Sequence, residues 1–206
     1  MPYAFAEIAF TPSVRAAQER GGSGHYAQFL SDLRNGGDRL SGIEREFIEA
    51  RDGFYQATVS ETGWPYVQFR GGQKGFLRAL DDQTIAYADV RGNRQYISVG
   101  NLAVNDRISL ILMDYPQARR LKIWGRVNIV AAGEAHRAVL DSASGRVERI
   151  VQIHVEAFDW NCPSHIPRRF TAEEAGQELE AAYHENAVLM AEIHALRQQI
   201  AKGGGG

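Results

Sequence analysis

From residue 63 to residue 130 the chain repeats short runs of β-branched and aromatic residues separated by turn residues, and this patterning commits it to an antiparallel sheet. The runs fall at 65–70, 75–80, 84–88, 107–113 and 121–130. Residues 54–60 alternate as a first strand, joined to 65–70 by a turn at Glu61, Thr62 and Gly63, and Asp81 with Asp82 marks the next turn. Gly125 interrupts its run and signals a close backbone approach or a bulge. Residues 133–140 read as a short helix, and 146–158 as a long final strand whose apolar face takes Val147, Ile150 or Val151, Ile153 and Val155. Strands with only short helical interruptions predict a closed antiparallel barrel of about six strands, because closure removes sheet edges.

One interruption carries chemical information. Residues 93–103 place Ile97, Leu102 and Ala103 on one side of a short helix, with Gly92 as a turn and Asn93 as its N-cap. Asn93, Arg94, Gln95, Ser98 and Asn101 crowd the helix start with donors. Free N–H groups, the positive end of the helix dipole and the Arg94 charge together predict an anion site.

The order of five segments then becomes informative: Gly63 through Gln68, Ile85 through Asp89, Gly92 through Gln95, Asn105 through Arg107, and Arg119 through Gly125. Across residues 45–162 this order resembles the pyridoxamine 5'-phosphate oxidase-like group of FMN-binding split-barrel proteins. The resemblance implies a mainly β fold with flanking helices, a split barrel, and a homodimer holding FMN at the subunit interface. It also implies an oxidoreductase that moves electrons or hydride to or from a small substrate. Gly92 to Gln95 matches the family's basic phosphate turn, Gln68 falls where an arginine commonly contacts phosphate, and Arg120 falls near an amide-bearing position beside the flavin. Gln68, the Gly71 and Gly72 insertion and an altered terminal motif depart from the true oxidase and argue against that activity; His165, Arg168 and Arg169 mimic part of the terminal motif, and His165 and Arg168 are the substrate candidates.

A flavin needs an anchor for its phosphate, polar groups along its pyrimidine edge and positive charge near its reduced ring. Arg94, Gln95, Ser98 and Asn101 are the phosphate candidates, with Asn93 at the turn. Gln68, Phe69 and Arg70 are expected to line the ring, with Tyr87, Ala88 and Asp89 opposite and Arg120 as the charge. Trp160 follows the final strand, where the family's chain returns towards the flavin. The same barrel also suits a flavin-binding or sensing module without turnover, a deazaflavin, or a haem with His165 or His154 as axial ligand, since fold alone does not fix function.

The flanks have simpler readings. Residues 1–52 are expected to form a helical cover: Thr11 and Pro12 open a helix that Gly21 and Gly22 end, residues 25–33 form a second, residues 35–38 break it, and Ser41 with Glu44 forms a capping box before 46–50. The barrel spans 53–162. In 171–201, after a second capping box of Thr171 and Glu174, the residues Leu179, Ala182, Asn186, Leu189, Ile193, Leu196 and Ile200 fall at heptad spacing. This helix is expected either to pair with its copy as a coiled coil or to pack on the barrel, and in both cases to support a dimer. Residues 202–206 are expected to be a disordered tail or an added remnant.

Composition excludes several classes. A net charge of −2 over 206 residues gives no nucleic-acid surface, and no apolar run reaches the length of a membrane span. A single cysteine, Cys162, forbids an internal disulfide and, with no signal peptide at the start, places the chain in the cytoplasm; a nucleophilic role for it lacks a partner histidine. Six scattered histidines offer no metal site. There is no nucleotide phosphate loop, nucleophile elbow or His-Glu-x-x-His motif.

Overall fold

A computed structural model describes residues 3–31, 35–160 and 164–203. The first elements are helical: α1 (Ala4–Ala9), α2 (Pro12–Arg20), a 3-10 segment (Gly24–Leu30) and α3 (Gly42–Glu49). Then come β1 (Gly53–Val59), β2 (Pro65–Gly71), β3 (Leu77–Ala79) and β4 (Thr84–Val90), the helix α4 (Ile97–Val104), and β5 (Arg107–Asp114) and β6 (Arg119–Val130). A 3-10 turn leads into α5 (Arg137–Asp141), followed by β7 (Val147–Trp160) and α6 (Ala172–Gly203).

Two compact units result. The first holds Met1–Asp114 and Ala118–His165; the second holds Tyr115–Gln117 and Ile166–Gly206. In the first, seven antiparallel strands run in the order β2-β1-β5-β6-β7-β4-β3 and form a curled half-barrel. That is one strand more than the sequence predicts. Among the described residues β2 and β3 each pair with one strand only and leave two edges, so the barrel is split, as the family resemblance implies, and not closed, as the strand pattern alone suggests.

Inward side chains of β1, β5, β6 and β7 build the main core, including Phe54, Leu110, Leu112, Leu121, Ile123 and Ile153, all essentially solvent-free. Each such side chain contributes about 1.5–3 kcal/mol by leaving water. The ambiguity between Ile150 and Val151 resolves because both are buried on opposite faces of β7. Val151 enters the main core, while Ile150 packs with Ala86 and Val139 under α5. Gly125 is both things its position suggested. The β6–β7 register shifts between Trp124 and Gly125, and a side chain there would collide with the His154 carbonyl.

Local signals set the cover helices. Thr11 accepts a hydrogen bond from Val14 N and Gly21 caps α2, as read; Ser41 and Glu44 form the capping box of α3. The second predicted helix is a 3-10 segment ending at Leu30, and its predicted end at Leu33 lies outside the described residues, as does Cys162. Helix α1 escaped prediction because its six residues are too short to show a period. The predicted strand at 75–80 shrinks to three residues because Gly75 takes a left-handed backbone (φ 86°). In the second unit α6 is a single helix, with Thr171 and Glu174 exchanging backbone and side-chain hydrogen bonds at its start. Leu179, Leu189, Ile193 and Leu196 are exposed on it. No helix among the described residues is long and apolar enough to cross a membrane.

Candidate functional site

Strands β2 and β4 and the segment from Gly92 to Val99 enclose a cavity of about 280 Å³. Alternation along β2 turns Tyr66, Gln68 and Arg70 toward it. Asp89 and Val90 end β4 at its wall, and Glu148 reaches it from β7. The remaining wall is the turn itself, including Asn93, Arg94, Gln95 and Tyr96, followed by Ile97, Ser98 and Val99 from the first turn of α4.

Helix α4 starts at Ile97, four residues later than its predicted N-cap. Asn93 instead accepts a hydrogen bond from Gln95 N at 3.2 Å, bending the chain locally. Arg94 and Tyr96 both adopt left-handed backbone (φ 63° and 54°), and Tyr96 caps the helix without a side-chain bond. Non-glycine residues in this region concentrate at functional turns, because surrounding contacts must hold them there. Ile97, Ser98 and Val99, the first residues of α4, line the cavity, and no side chain of the N-cap residue covers the helix start.

Charges around the cavity alternate. Arg70 Nη1 lies 2.8 Å from Asp89 Oδ1, and Arg149 Nε lies 3.5 Å from Asp89 Oδ2. Arg149 also meets Glu148 at 2.7 Å, and Tyr96 donates its hydroxyl to Glu148 at 3.2 Å. The Tyr96 side chain and then the field of Glu148 raise the Arg94 pKa, and Arg94 forms no ion pair among the described residues. Ser98 donates to Gln68 Oε1 at 3.0 Å, tying the helix start to β2. Arg70 Nε is buried and unpartnered. A wall that joins an uncapped helix start, amides, hydroxyls and a guanidinium without an ion pair among the described residues suits an anion such as a phosphate.

Residues 44–168, more than half the chain, match the sequence model of pyridoxamine 5'-phosphate oxidase. The chain belongs to the pyridoxamine 5'-phosphate oxidase family. No curated protein matches it. Among solved structures it is similar to HupZ from Group A Streptococcus, at 20% identity over 63% of this chain and 99% of that one, with a TM-score of 0.49. It is also similar to a putative pyridoxamine 5'-phosphate oxidase from Lactobacillus delbrueckii, at 16% identity over 59% and 94% of the two chains, with a TM-score of 0.47. An FMN-binding protein from Syntrophomonas wolfei matches at 13% identity over 58% and 89%, with a TM-score of 0.44.

Against this family pattern, Gln68, Arg70, Asp89, Asn93, Arg94, Gln95 and Ser98 come together at one cavity. Six other cofactor candidates stand elsewhere. Phe69 projects from the opposite face of β2, 59% exposed and edge-on to Tyr55, because neighbouring strand residues cannot share a wall. Tyr87 is buried in the core and donates its hydroxyl to Gln56 Oε1 at 2.6 Å; burial pushes its pKa up and keeps it neutral. Ala88 packs against the small cluster beside α5. Asn101 is buried behind the helix start, donating to Thr58 Oγ1 at 3.0 Å. Trp160 donates to Glu44 Oε1 at 2.8 Å and so belongs to the α3 cap.

Arg120 lies on β6 opposite Met113, with its Nε buried and unpartnered, and is not part of the cavity wall. His165 has a left-handed backbone (φ 68°) at the end of the first unit, and Arg168 belongs to the second. His154, the other axial-ligand candidate, is exposed on β7, and no group of three or more metal-binding side chains occurs among the described residues. Tyr66, Tyr96 and Glu148 were missed. Alternation from Gln68 would have found Tyr66, whereas Glu148 arrives from β7, and only the sheet order brings it there.

Proposed function

We propose that the protein binds FMN and serves as a flavin-dependent oxidoreductase, acting on an unidentified small substrate as a cytoplasmic homodimer. The observation that carries this reading is the donor-lined cavity at the 92–99 turn, in a chain of this family. Arg94 and the first N–H groups of α4 would hold the phosphate, with Asn93, Gln95 and Ser98 completing its hydrogen bonds. Gln68, fixed by Ser98, and Arg70, fixed by Asp89, would stand along the rest of the cofactor. Bound FMN would supply hydride and electron transfer, and His165 and Arg168 are retained as substrate contacts.

A second copy is part of the proposal for a physical reason. At about 280 Å³ the cavity lies just below the range of about 300–1,000 Å³ usual for small-molecule sites, so one chain holds the phosphate end and leaves the ring uncovered. The outer face of β1 and β2 presents Tyr55, Val59, Val67 and Phe69 to solvent, with Trp64 exposed on the turn that joins them. Exposed apolar side chains grouped on an edge strand are the kind of surface a second subunit covers. Pairing of α6 with its copy through Leu189, Ile193 and Leu196 would reinforce the dimer.

Arg94→Ala tests the anchor. The variant is expected to fold and to lose FMN on gel filtration; a variant that keeps one flavin per chain would overturn the phosphate assignment.

A further inference from the structure

We propose that the cavity between the N-terminal helices and the outer surface of β6 and β7 is a second ligand site, fitted to an aryl-alkylamine cation. It measures about 330 Å³ and shares no residue with the wall of the anion cavity. Tyr3, Phe5, Phe10, Tyr26 and Phe29 form its walls. Lys122 and Asp159, directly opposed on β6 and β7, form its floor.

The walls are fastened. Tyr3 N donates to Phe29 O and Ala4 N to Gly36 O, each at 3.0 Å, tying α1 to the 3-10 segment and the following turn. The Tyr3 hydroxyl donates to Phe158 O at 3.0 Å, and its ring lies so close to Gly37 that any side chain there would strike it. Tyr26 and Phe29 stack at 5.9 Å, while Phe10 meets Tyr26 edge-on at 6.3 Å. Such a cavity accepts a planar apolar body, and its volume admits one bicyclic ring with a short chain.

The floor decides the sign of the charge. Lys122 Nζ is committed twice, 2.9 Å from Asp159 Oδ2 and 4.4 Å above the Phe5 ring. Asp159 Oδ1 has no hydrogen-bond partner among the described residues, so the floor offers an open anionic acceptor. The Tyr3 hydroxyl, its pKa pushed up to about 12 by burial and by the fields of Asp159 and Glu44, stays neutral. Aromatic rings add negative potential at their faces and favour cations further. An ammonium at Asp159 Oδ1 with an aryl group among Phe10, Tyr26 and Phe29 satisfies both features.

Calorimetry on the full chain with tryptamine, 3-methylindole and indole-3-acetate tests this. Tryptamine is expected to bind about tenfold tighter than 3-methylindole, the gain of one charge-assisted hydrogen bond, and indole-3-acetate more weakly than either. Asp159→Asn should remove that tenfold gain, and Phe10→Ala should weaken all three probes. Because Asp159→Asn also leaves Lys122 unpaired, Lys122→Met provides the second arm and should tighten tryptamine binding. Absence of saturable tryptamine binding at millimolar concentration, tighter binding of indole-3-acetate, or weaker tryptamine binding by Lys122→Met would each overturn the proposal.

Discussion

Replacing Trp160 by phenylalanine should lower stability by about 2 kcal/mol at neutral pH and leave FMN uptake intact. The Trp160 indole N–H donates to Glu44 Oε1 at 2.8 Å, while Glu44 Oε2 accepts from Ser41 N at 2.9 Å and from the Ser41 hydroxyl. A hydrogen bond to a charged group contributes about 1.5–3 kcal/mol, and the partial solvent access of this pair argues for the lower part of that range. Phenylalanine preserves the edge contact with Phe47, now at 4.7 Å, but weakens the stacking of Arg119, now 4.7 Å above the indole. Such stacking is worth about 0.5–1 kcal/mol at an exposed site, and phenylalanine keeps part of it. For a chain of this size about 2 kcal/mol corresponds to a fall in Tm of about 4–8 °C.

The pH dependence gives this prediction a second edge. Burial alone would raise the Glu44 pKa, but the donors from Ser41 and Trp160 outweigh it and hold the carboxyl below its usual 4.5. A depressed folded-state pKa means stability that is fully present above the usual value and lost as pH falls through the folded one. Removing one donor raises the folded pKa toward normal. The gap between wild type and Trp160→Phe should therefore be complete at pH 7 and narrow below pH 4.5. Thermal melts followed by circular dichroism across this range measure it. Equal melting at pH 7, or a gap that stays constant into acid, would refute the assignment of Trp160 to the α3 cap.

Three further outcomes follow from the same geometry. Gly125→Ala forces a side chain against the His154 carbonyl and within 2.8 Å of Ile153 Cγ2, and urea titration should show a loss of about 1–3 kcal/mol, the range for overpacking. Tyr87→Phe leaves Gln56 Oε1 buried without its donor, which should cost about 1–3 kcal/mol with no change in FMN affinity by fluorescence titration. Deleting residues 171–206 should shift light-scattering mass toward the monomer at low concentration and spare FMN binding; an unchanged mass would remove α6 from the dimer contacts.

Much of this fold is written in local sequence, and the exceptions share a cause. Period-two runs located the strands, and the Thr11, Ser41 and Thr171 caps located helix starts, since those signals act over a few residues. Openness of the barrel was legible only through the family resemblance: whether β2 meets β3 depends on the sheet order, which no local pattern encodes. The cavity divides the same way. Asn93, Arg94, Gln95 and Ser98 were legible as donors crowded at a turn, Gln68 came with the family's spacing, and Arg70 came from its place at the end of a strand. Phe69 and Tyr87 were assigned to the site by position along the chain, and strand alternation sends the first outward while the Gln56 bond holds the second in the core. The late start of α4 depends on left-handed backbone at Arg94 and Tyr96, residues whose side chains do not announce it.

The most direct measurement of the central claim is the visible absorption spectrum of the purified protein, repeated on the supernatant after heat denaturation and on the apoprotein titrated with FMN. The account predicts a yellow protein that releases FMN on heating and takes it up again at one per chain. A colourless protein that fails to take up added FMN would contradict it.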